Sequence, residues 1–260
     1  MKMSKKVSHL VMFSGGASSW AAAKRVIERY GTEGVVLLFA DTRIEDDDLY
    51  RFLDDAQVNL GVPLLRVMDG RNPWEVMRDR KIIGNSRIDP CSQILKRQLL
   101  DRWRNVLGEP EKTTVYVGLD WTEIHRVKQL EGRCLPWRYK SPMMESPYLT
   151  KLDILAWMKS EGLKPPRLYA LGFPHNNCGG MCIKAGQAQW AHLFKIFPER
   201  YRYHEKQEEA MREIVGNHSI LRKVVNGVTI PLTLKALRES IEARESYDVL
   251  DWGGCGCAIE

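Results

Sequence analysis

The 260-residue sequence contains no apolar run that approaches the roughly 18 residues needed to cross a bilayer. It has only 12 prolines and neither an internal repeat nor a low-complexity segment, which excludes collagen-like and disordered chains. Hydrophobic residues make up 44% and charged residues 28%, which is typical of a globular domain with a sizeable core. The sequence therefore predicts a globular protein with no membrane partner.

Cysteine is scarce, and the first residues do not form a secretory leader. The basic start at residues 1–6 is followed by a short apolar stretch that contains Ser8 and His9 and leads into a glycine loop, not a cleavage site. We therefore expect a cytoplasmic protein in which the six cysteines are thiols or metal ligands, not disulfides. A chain of this length also needs no disulfide staples.

The charge is slightly positive, with 39 Lys and Arg against 33 Asp and Glu and a formal net charge of +6. This excess favours a phosphate-rich partner, although it is equally typical of a solvated basic surface. Basic residues cluster at 96–104 and at Lys195, Arg200 and Arg202. Such clusters suit a polyanion, so tRNA or DNA is a candidate partner.

Apolar runs alternate with amphipathic segments through the first 120 residues. The runs at 7–13, 35–40, 63–68 and 113–119 predict strands, and the segments between them predict helices. Continuous strands that alternate with helices are typical of a parallel sheet covered on both faces. The predicted fold class is α/β, a Rossmann-like parallel sheet with helices on both faces.

The periodicity is weaker in the second half of the chain. The segment 136–148 has three prolines and predicts a loop over the site, whereas Asn226-Gly227 predicts a hairpin turn. Helices are predicted at 151–162, 184–197, 199–215 and 232–243. The simplest division is an α/β domain at residues 1–172 and a helical, cysteine-bearing C-terminal extension at residues 173–260.

A loop of glycine and serine follows the first predicted strand. It has the sequence Ser14-Gly15-Gly16-Ala17-Ser18-Ser19. Glycines let the backbone approach an anion, and the N-terminus of the following helix presents free N–H groups. The loop lacks the Gly-Lys-Ser/Thr of a Walker loop and the three-glycine spacing of a dinucleotide fingerprint. It predicts a phosphate site of another kind, with an N-capped tight turn as the alternative.

This loop and three later motifs together resemble the PP-loop ATP pyrophosphatase superfamily, in particular its branch of phosphoadenylylsulfate (PAPS) reductases. The later motifs are a strand-end Asp-Thr before an acidic helix, a Cys before a basic pair, and a strand-end glycine with a later arginine. They are Asp41-Thr42, Cys91 with Lys96-Arg97, and Gly118 with Arg126. The motifs follow the family's order over roughly residues 7–195, and they imply a nucleotide-binding domain of the PP-loop (HUP) type.

The resemblance also implies roles for individual residues. Asp41 would support Mg²⁺ or the loop, and Arg126 would neutralise charge at the α-phosphorus of the nucleotide. Lys96 and Arg97 are weaker candidates for that task, and all these cations are also typical of a solvated helix surface. The terminal phosphates of ATP, or of PAPS, would be held by Ser14, Gly15, Gly16, Ser18 and Ser19.

The cysteines form the second pattern. Cys91, Cys178 and Cys182 resemble in their order the cysteines of assimilatory reductases that carry a 4Fe-4S cluster. The sequence departs from those enzymes in having one cysteine at Cys91, where the family has two, and a CxxxC spacing in place of CxxC. Because thiolates favour iron or zinc, a 4Fe-4S cluster is the first expectation and zinc the alternative. Buried inert thiols remain a third interpretation.

The last cysteines and two tryptophans complete the set of candidates. Cys255 is the candidate fourth metal ligand, with Cys257 or Cys134 as alternatives. Cys257 is also the candidate reactive thiol, because the reductases keep a reactive cysteine near the C-terminus. Trp121 and Trp137 are candidate stacking surfaces near a ligand.

These features together favour a PP-loop enzyme that binds ATP or a related adenine nucleotide. It would act in sulfur transfer or in nucleotide or nucleic-acid modification, with a cysteine-ligated iron-sulfur cluster and a sulfur donor or thioredoxin-like reductant. Two alternatives stay open. One is a thiol-dependent PAPS reductase that releases sulfite, and the other is a non-catalytic nucleotide-binding module with a structural zinc.

Overall fold

The computed structural model describes residues 7–254. The strands are β1 (His9–Met12), β2 (Val35–Asp41), β3 (Leu64–Met68), β4 (Thr114–Tyr116), β5 (Arg138–Lys140), β6 (Leu221–Val225) and β7 (Val228–Leu232). The first helices are α1 (Ala17–Tyr30), α2 (Asp47–Leu60), α3 (Pro73–Arg80), α4 (Leu99–Leu107) and α5 (Ile124–Arg133). The later helices are α6 (Lys151–Ser160), α7 (Arg167–Ala170), α8 (Gln187–Ile196), α9 (Pro198–Val215) and α10 (Leu234–Glu242). A π-helical segment (Ser92–Gln98) leads into α4, and short 3₁₀ turns lie at Trp121–Glu123, Pro142–Met144 and Cys178–Gly180.

The first five strands form one parallel sheet in the order β3-β2-β1-β4-β5. All seven residues of β2 are buried, as expected for a strand covered on both sides. Its side chains alternate between the two faces of the sheet. Val35, Leu37 and Phe39 pack with α1, α2 and α6. Val36, Leu38 and Ala40 pack with α4 on the other face. The predicted Rossmann-like α/β class is therefore confirmed.

The strand order places a switch point between β1 and β4. β2 and β3 continue the sheet on one side of β1, whereas β4 and β5 continue it on the other. The connections that leave the carboxyl ends of β1 and β4 therefore diverge and open a crevice, which is where open α/β sheets bind ligands. The serine and glycine loop follows β1, and Gly118 follows β4, so both predicted motifs lie at this crevice.

Four local features differ from what the sequence predicts. The segment 136–148 is not simply a loop, because Arg138–Lys140 pairs in parallel with β4 and extends the sheet. The helix α5, just before it, lies in a segment for which the sequence predicts no element. The helix predicted at 92–107 begins as a π-helix, and the one predicted at 184–197 begins at Gln187. In each case tertiary contacts override a weak local signal.

The C-terminal elements pack in a second core. Trp74 and Met77 of α3 and Leu95 of the π-helix join Trp190 of α8 and Tyr201 of α9 in one buried cluster. The hairpin of β6 and β7 turns at Asn226, as predicted, and α10 closes the cluster. Within residues 7–254, no helix combines the length and the apolar character that a membrane crossing needs.

Two buried titratable residues on α9 face this second core. Trp74 donates from Nε1 to Nδ1 of His204 at 3.0 Å, and burial lowers the pKa of His204 from 6.5 to about 3. The carboxylate of Glu208 accepts the backbone N–H of Ile220 at 2.9 Å and of Leu234 at 2.6 Å. Burial nevertheless raises the pKa of Glu208 from 4.5 to about 7. As the pH rises, the pKa shift of His204 increases the free energy of unfolding, whereas that of Glu208 decreases it.

We predict that the Glu208→Gln variant has a different pH dependence of unfolding from the parent. Because folded His204 resists protonation, its contribution to stability falls as the pH drops from 6.5 toward 3, whereas that of Glu208 falls as the pH rises from 4.5 toward 7. The two slopes oppose each other between about pH 4.5 and 6.5 in the parent. In Glu208→Gln only His204 acts, so the free energy of unfolding should rise with pH by up to about 1.4 kcal/mol per unit relative to the parent.

Urea unfolding at half-unit pH intervals measures this slope. The exposed residue Glu213 on the same helix supplies the control, because Glu213→Gln should keep the parent's profile. Parallel pH profiles for the parent and Glu208→Gln would contradict the assignment of opposing titrations.

Candidate nucleotide and cysteine site

The loop after β1 is shaped to expose backbone N–H groups. Gly15 has a left-handed φ of 73°, and a Cβ there would lie 2.7 Å from Cδ1 of Leu49, so this position requires glycine. Ser19 Oγ donates to the carbonyl of Gly16 at 2.9 Å, and Ser14 Oγ donates to Ser19 Oγ at 3.2 Å. Gly16 precedes α1 and supplies no side-chain cap. The helix N-terminus therefore suits an anion.

A cavity of about 350 Å³ opens over this loop. Ser14, Gly16, Ser18 and Ser19 form one wall, and residues 117–120 after β4 form another. The remaining lining includes Thr122, Glu123, Arg126, Lys151, Tyr169, His175, Asn176 and Asn177. The structure thus brings four of the five predicted loop residues and Arg126 to one cavity. The fifth, Gly15, supports the loop from behind.

Gly118 is pressed against the loop from the β4 side. A Cβ on this residue would lie 2.6 Å from the backbone N of Ser19 and 2.7 Å from the backbone C of Ser18. Both contacts are with backbone atoms, which cannot move aside without displacing the first turn of α1. Gly118, the strand-end glycine of the family motif, is therefore required because its backbone lies against the backbone of Ser18 and Ser19.

We predict that Gly118→Ala weakens nucleotide binding by at least tenfold and lowers the free energy of unfolding by about 2 kcal/mol, the range for overpacking a closed site. Calorimetric titration with ATP and urea unfolding measure the two effects. Gly132→Ala is the matched control, because a Cβ at Gly132 meets no atom within 4 Å. Equal ATP affinity in Gly118→Ala and the parent would show that the loop tolerates the displacement.

Two residues from the second half of the chain hold the loop. Asn176 Nδ2 donates to the carbonyl of Gly15 at 2.8 Å, while its buried Oδ1 has no hydrogen-bond partner. The hydroxyl of Tyr169 accepts the backbone N–H of Ala17 at 3.0 Å. The sequence by itself indicates a functional role for neither residue. The only signal was the position of Asn176 beside His175 in the cysteine motif.

Arg126 also lines the cavity over the loop. Its Nη1 donates to Oε1 of Glu123, one helical turn earlier on the chain. Its Nε is buried and has no hydrogen-bond partner. An unsatisfied buried donor on a cation is costly unless a ligand completes it. The geometry therefore allows Arg126 to meet an anionic group that enters the cavity.

Asp41 and Arg97 are placed differently from the loop residues. Asp41 Oδ1 accepts the backbone N–H of Arg43 at 2.7 Å and the hydroxyl of Tyr50 at 3.0 Å, and it is not among the residues that line the 350 Å³ cavity. Burial, with the charge of Asp41, raises the pKa of Tyr50, so this phenol stays a donor. Arg97 makes two hydrogen bonds to Asp89, at 2.8 and 3.1 Å.

Lys96 connects the nucleotide side of the crevice with the cysteines. It lines a small cavity beside Ser14 and also the cavity that the cysteines share, with Nζ 3.6 Å from Sγ of Cys178. Glu45 lies next to it and accepts from Oγ1 of Thr42 at 2.7 Å and from the backbone N–H of Cys178. Burial raises the pKa of Glu45, and the charge of Lys96 opposes that rise. In the sequence, Glu45 indicates only the start of an acidic helix.

Three of the predicted metal ligands face one small cavity. Cys91, Cys178 and Cys182 are buried and line it together with Thr42 and Lys96. They come from the start of the π-helix and from the loop before α8. Within residues 7–254, no three His, Cys, Asp or Glu side chains converge closely enough to form a metal site by themselves. The three thiols therefore share one small cavity without forming an assembled metal site among the described residues.

The loop that carries two of these thiols has an unusual backbone. Cys178, Gly179 and Gly180 have φ values of 51°, 62° and 85°, so three successive residues are left-handed. A Cβ at Gly179 would lie 2.8 Å from the carbonyl oxygen of Ile44, which keeps this position a glycine. The tight wrap turns the backbone N–H of Cys178 toward Glu45. The glycines that suggested metal ligation in the sequence thus shape the loop around the thiols.

The other candidates lie apart or outside the described residues. Cys134 lines a different cavity with Arg133 and Tyr139, and burial raises the pKa of its thiol. Cys255 and Cys257 lie outside the described residues. The described chain ends at Gly254, whose backbone N–H donates to the carbonyl of Lys184 at 3.2 Å, close in sequence to Cys182.

The two tryptophans proposed as stacking surfaces have different environments. Trp137 is buried, and the guanidinium of Arg104 lies 4.6 Å from its ring centroid, so it belongs to the packing around β4. Trp121 is 46% exposed and tilts against Tyr148 with ring centroids 6.2 Å apart. Its neighbours Asp120 and Thr122 line the nucleotide cavity. Only Trp121 therefore adjoins the candidate site.

No protein-family model and no curated protein matches the sequence. Among solved structures, the PAPS reductase from Candida auris in a phosphate complex is 12% identical, with 63% of this chain and 78% of that chain covered and a TM-score of 0.44. The U34-tRNA thiolase NcsA from Methanococcus maripaludis, with its 4Fe-4S cluster, is 17% identical, with 81% and 74% covered and a TM-score of 0.46. The NH3-dependent NAD synthetase from Campylobacter jejuni, in complex with the nitrate ion, is 13% identical, with 82% and 85% covered and a TM-score of 0.42.

These three likenesses concern the fold and assign no residue or activity to this chain. The fold stands on the chain's own features. Its parallel sheet has the order β3-β2-β1-β4-β5, and the loop with Gly15 and Gly16 joins β1 to α1 at the switch point. The strand order and the loop together confirm the Rossmann-like parallel α/β fold that the sequence predicts.

Proposed function

We propose that the chain binds ATP with Mg²⁺ at the loop of residues 14–19 and transfers the adenylyl group to an acceptor. This transfer is the first half of a sulfur-transfer reaction on a nucleotide or nucleic acid. The observation that carries the proposal is that one cavity is lined both by an uncapped helix N-terminus and by Arg126, whose buried Nε has no hydrogen-bond partner among the described residues. Such a cavity holds phosphates at one end and stabilises charge on the reacting phosphorus at the other.

The proposed phosphate-binding groups belong to the loop after β1 and to the first turn of α1. The β- and γ-phosphates accept N–H groups at the start of α1 and hydroxyl hydrogens of Ser14, Ser18 and Ser19. Mg²⁺ bound with the nucleotide would neutralise phosphate charge, as it commonly does at nucleotide sites. Asp41 has a supporting role: its carboxylate accepts the backbone N–H of Arg43 and so stabilises the loop after β2.

The reaction balances as an adenylyl transfer. An oxygen of the acceptor attacks the α-phosphorus, a new P–O bond forms, and the P–O bond to the β-phosphate breaks. Pyrophosphate leaves into the loop, and the acceptor's proton passes to water. In the second half, a hydrosulfide donor forms a C–S bond at the activated carbon, the C–O bond breaks, and AMP leaves with the oxygen. Arg126 stabilises the charge that develops in the first half.

The candidate ligands of a 4Fe-4S cluster are the three buried thiols that line one small cavity. Cys91, Cys178 and Cys182 would hold the cluster, and Cys255 is the proposed fourth ligand, with Cys257 as the proposed reactive thiol. A cluster bound there would supply iron that holds sulfur near the nucleotide. The ammonium of Lys96 lies 3.6 Å from Cys178 and would compensate thiolate charge.

Pyrophosphate release from ATP with Mg²⁺, by anaerobically purified protein in the presence of tRNA or DNA, tests the proposal. Arg126→Gln should slow this release by about 10² to 10³ through loss of charge stabilisation. Lys128→Gln is the matched control, because Lys128 is an exposed cation on the same helix. Sulfite release from PAPS with thioredoxin, without pyrophosphate release from ATP, would replace the proposal with a reductase. Nucleotide binding without either product would leave a binding module.

A further inference from the structure

A second cavity of about 550 Å³ adjoins the nucleotide cavity and has no part in the function described so far. The two cavities share Glu123, Arg126 and His175 in their linings. The opposite wall of the second cavity comes from the C-terminal half of the chain. It consists of Lys184, Ala185, Gly186, Ile220, Leu221, Arg222, Asp251, Gly253 and Gly254, with Ser86 at the edge.

The charges in this second cavity favour an anion. Among residues 7–254, the side chain of Arg222 makes no ion pair or hydrogen bond, and Nε of Arg126 has no hydrogen-bond partner. The two carboxylates are already engaged. Glu123 accepts from Arg126, and Asp251 Oδ2 accepts the backbone N–H of Gln187 at the start of α8, at 3.1 Å. The positive groups therefore outweigh the negative ones at the surface that a ligand would meet.

The wall that carries Arg222 is fixed in place. Gly253 forms an antiparallel bridge with Ala185, and a Cβ at Gly186 would collide with Asp251. Ile220 and Leu221 are buried and give this wall an apolar part beside the cation. A preformed cavity of this volume, with several charged groups and a small apolar part, has room for a small polar molecule.

We propose that the second cavity binds a nucleotide unit of the acceptor, with its phosphate at Arg222 and its base against Ile220 and Leu221. The shared boundary at Arg126 then brings the acceptor's reactive oxygen to the α-phosphorus of ATP. The inference rests on the proposed adenylyl transfer for the identity of the acceptor. The nucleotide unit is either a free nucleoside monophosphate or one residue of a strand.

Fluorescence anisotropy with a labelled oligoribonucleotide and a labelled oligodeoxyribonucleotide, and calorimetry with nucleoside monophosphates, test this inference. Arg222→Gln should weaken binding of the preferred probe at least tenfold and reduce the slope of log K against log salt by about 1. Lys223→Gln is the matched control, because successive side chains of a strand point to opposite faces. The probe that binds the parent protein more tightly identifies the source of the nucleotide unit.

The outcomes separate this inference from the proposed function. Probe binding that is equal in Arg222→Gln and the parent, or absent from the parent for every probe, overturns the inference. ATP binding measured on the same samples should be unchanged by Arg222→Gln, since Arg222 does not line the nucleotide cavity. If the parent protein does not bind ATP, the proposed function is wrong. If Arg222→Gln then still loses probe binding that the parent shows, the second site is supported independently.

Discussion

Replacing Gly16 with valine is expected to lower the affinity for ATP by at least about 100-fold while the protein still folds. Gly16 has φ −104° and ψ 169°, an extended conformation that valine adopts readily. A Cβ at this position would lie 3.1 Å from the hydroxyl of Tyr169 and 3.5 Å from Oγ of Ser14. The two methyl groups of valine would therefore fill the space above the loop in which the phosphates must lie.

Calorimetric titration with ATP and thermal unfolding separate the two parts of this prediction. Gly132→Val is the control for a valine introduced elsewhere, because Gly132 is exposed on α5 and a Cβ there meets no atom within 4 Å. Gly16→Ala should give an intermediate affinity, since it adds the Cβ without the branches. If Gly16→Val binds ATP, PAPS and their analogues as tightly as the parent, the loop is not the phosphate site.

The parallel sheet was predictable because its central strands appear in the sequence as continuous apolar runs. β2 is buried along its whole length, so each of its positions must be apolar or small until the strand ends at Asp41. The loop at residues 14–19 was predictable for a similar local reason. Gly15 must adopt a positive φ against Leu49, and no other residue type does so without strain.

β5 could not be predicted from its own residues. It has only three residues, Arg138–Lys140, and just Tyr139 among them is buried. Its sequence lies between prolines at positions 136 and 142, which indicate turns. The strand exists because β4 offers it a parallel edge with Thr114 opposite Arg138. A pairing partner, and not a local preference, determines this element.

The site was predictable in its motifs but not in its connections. The sequence indicates that Cys91 and Cys178 are candidate ligands, yet only the fold shows that both face one cavity. Glu45 resembles a charge at a helix start, whereas its carboxylate accepts the backbone N–H of Cys178 from 133 positions away. Asn176 likewise reaches the carbonyl of Gly15 across 161 positions. Such contacts leave no periodic trace in a single sequence.

Single serine substitutions at Cys91, Cys178 and Cys182 are each expected to reduce bound metal to below about one tenth of the parent's content. The three thiols line the same cavity, so each variant would remove one ligand from a common centre. A cluster that loses one thiolate usually becomes labile, and serine preserves the packing volume. Iron, zinc and acid-labile sulfide are measured on anaerobically purified protein, with thermal unfolding as the check on folding.

The control variant Cys134→Ser makes this prediction specific, because Cys134 lies in a different cavity and should leave the metal content unchanged. Loss of metal in Cys255→Ser or Cys257→Ser would identify the fourth ligand. Iron together with sulfide supports the cluster, whereas zinc without sulfide supports a structural metal at the same thiols. Full metal content in all three variants would contradict a shared site and leave these cysteines as buried thiols that only pack between the π-helix and the loop before α8.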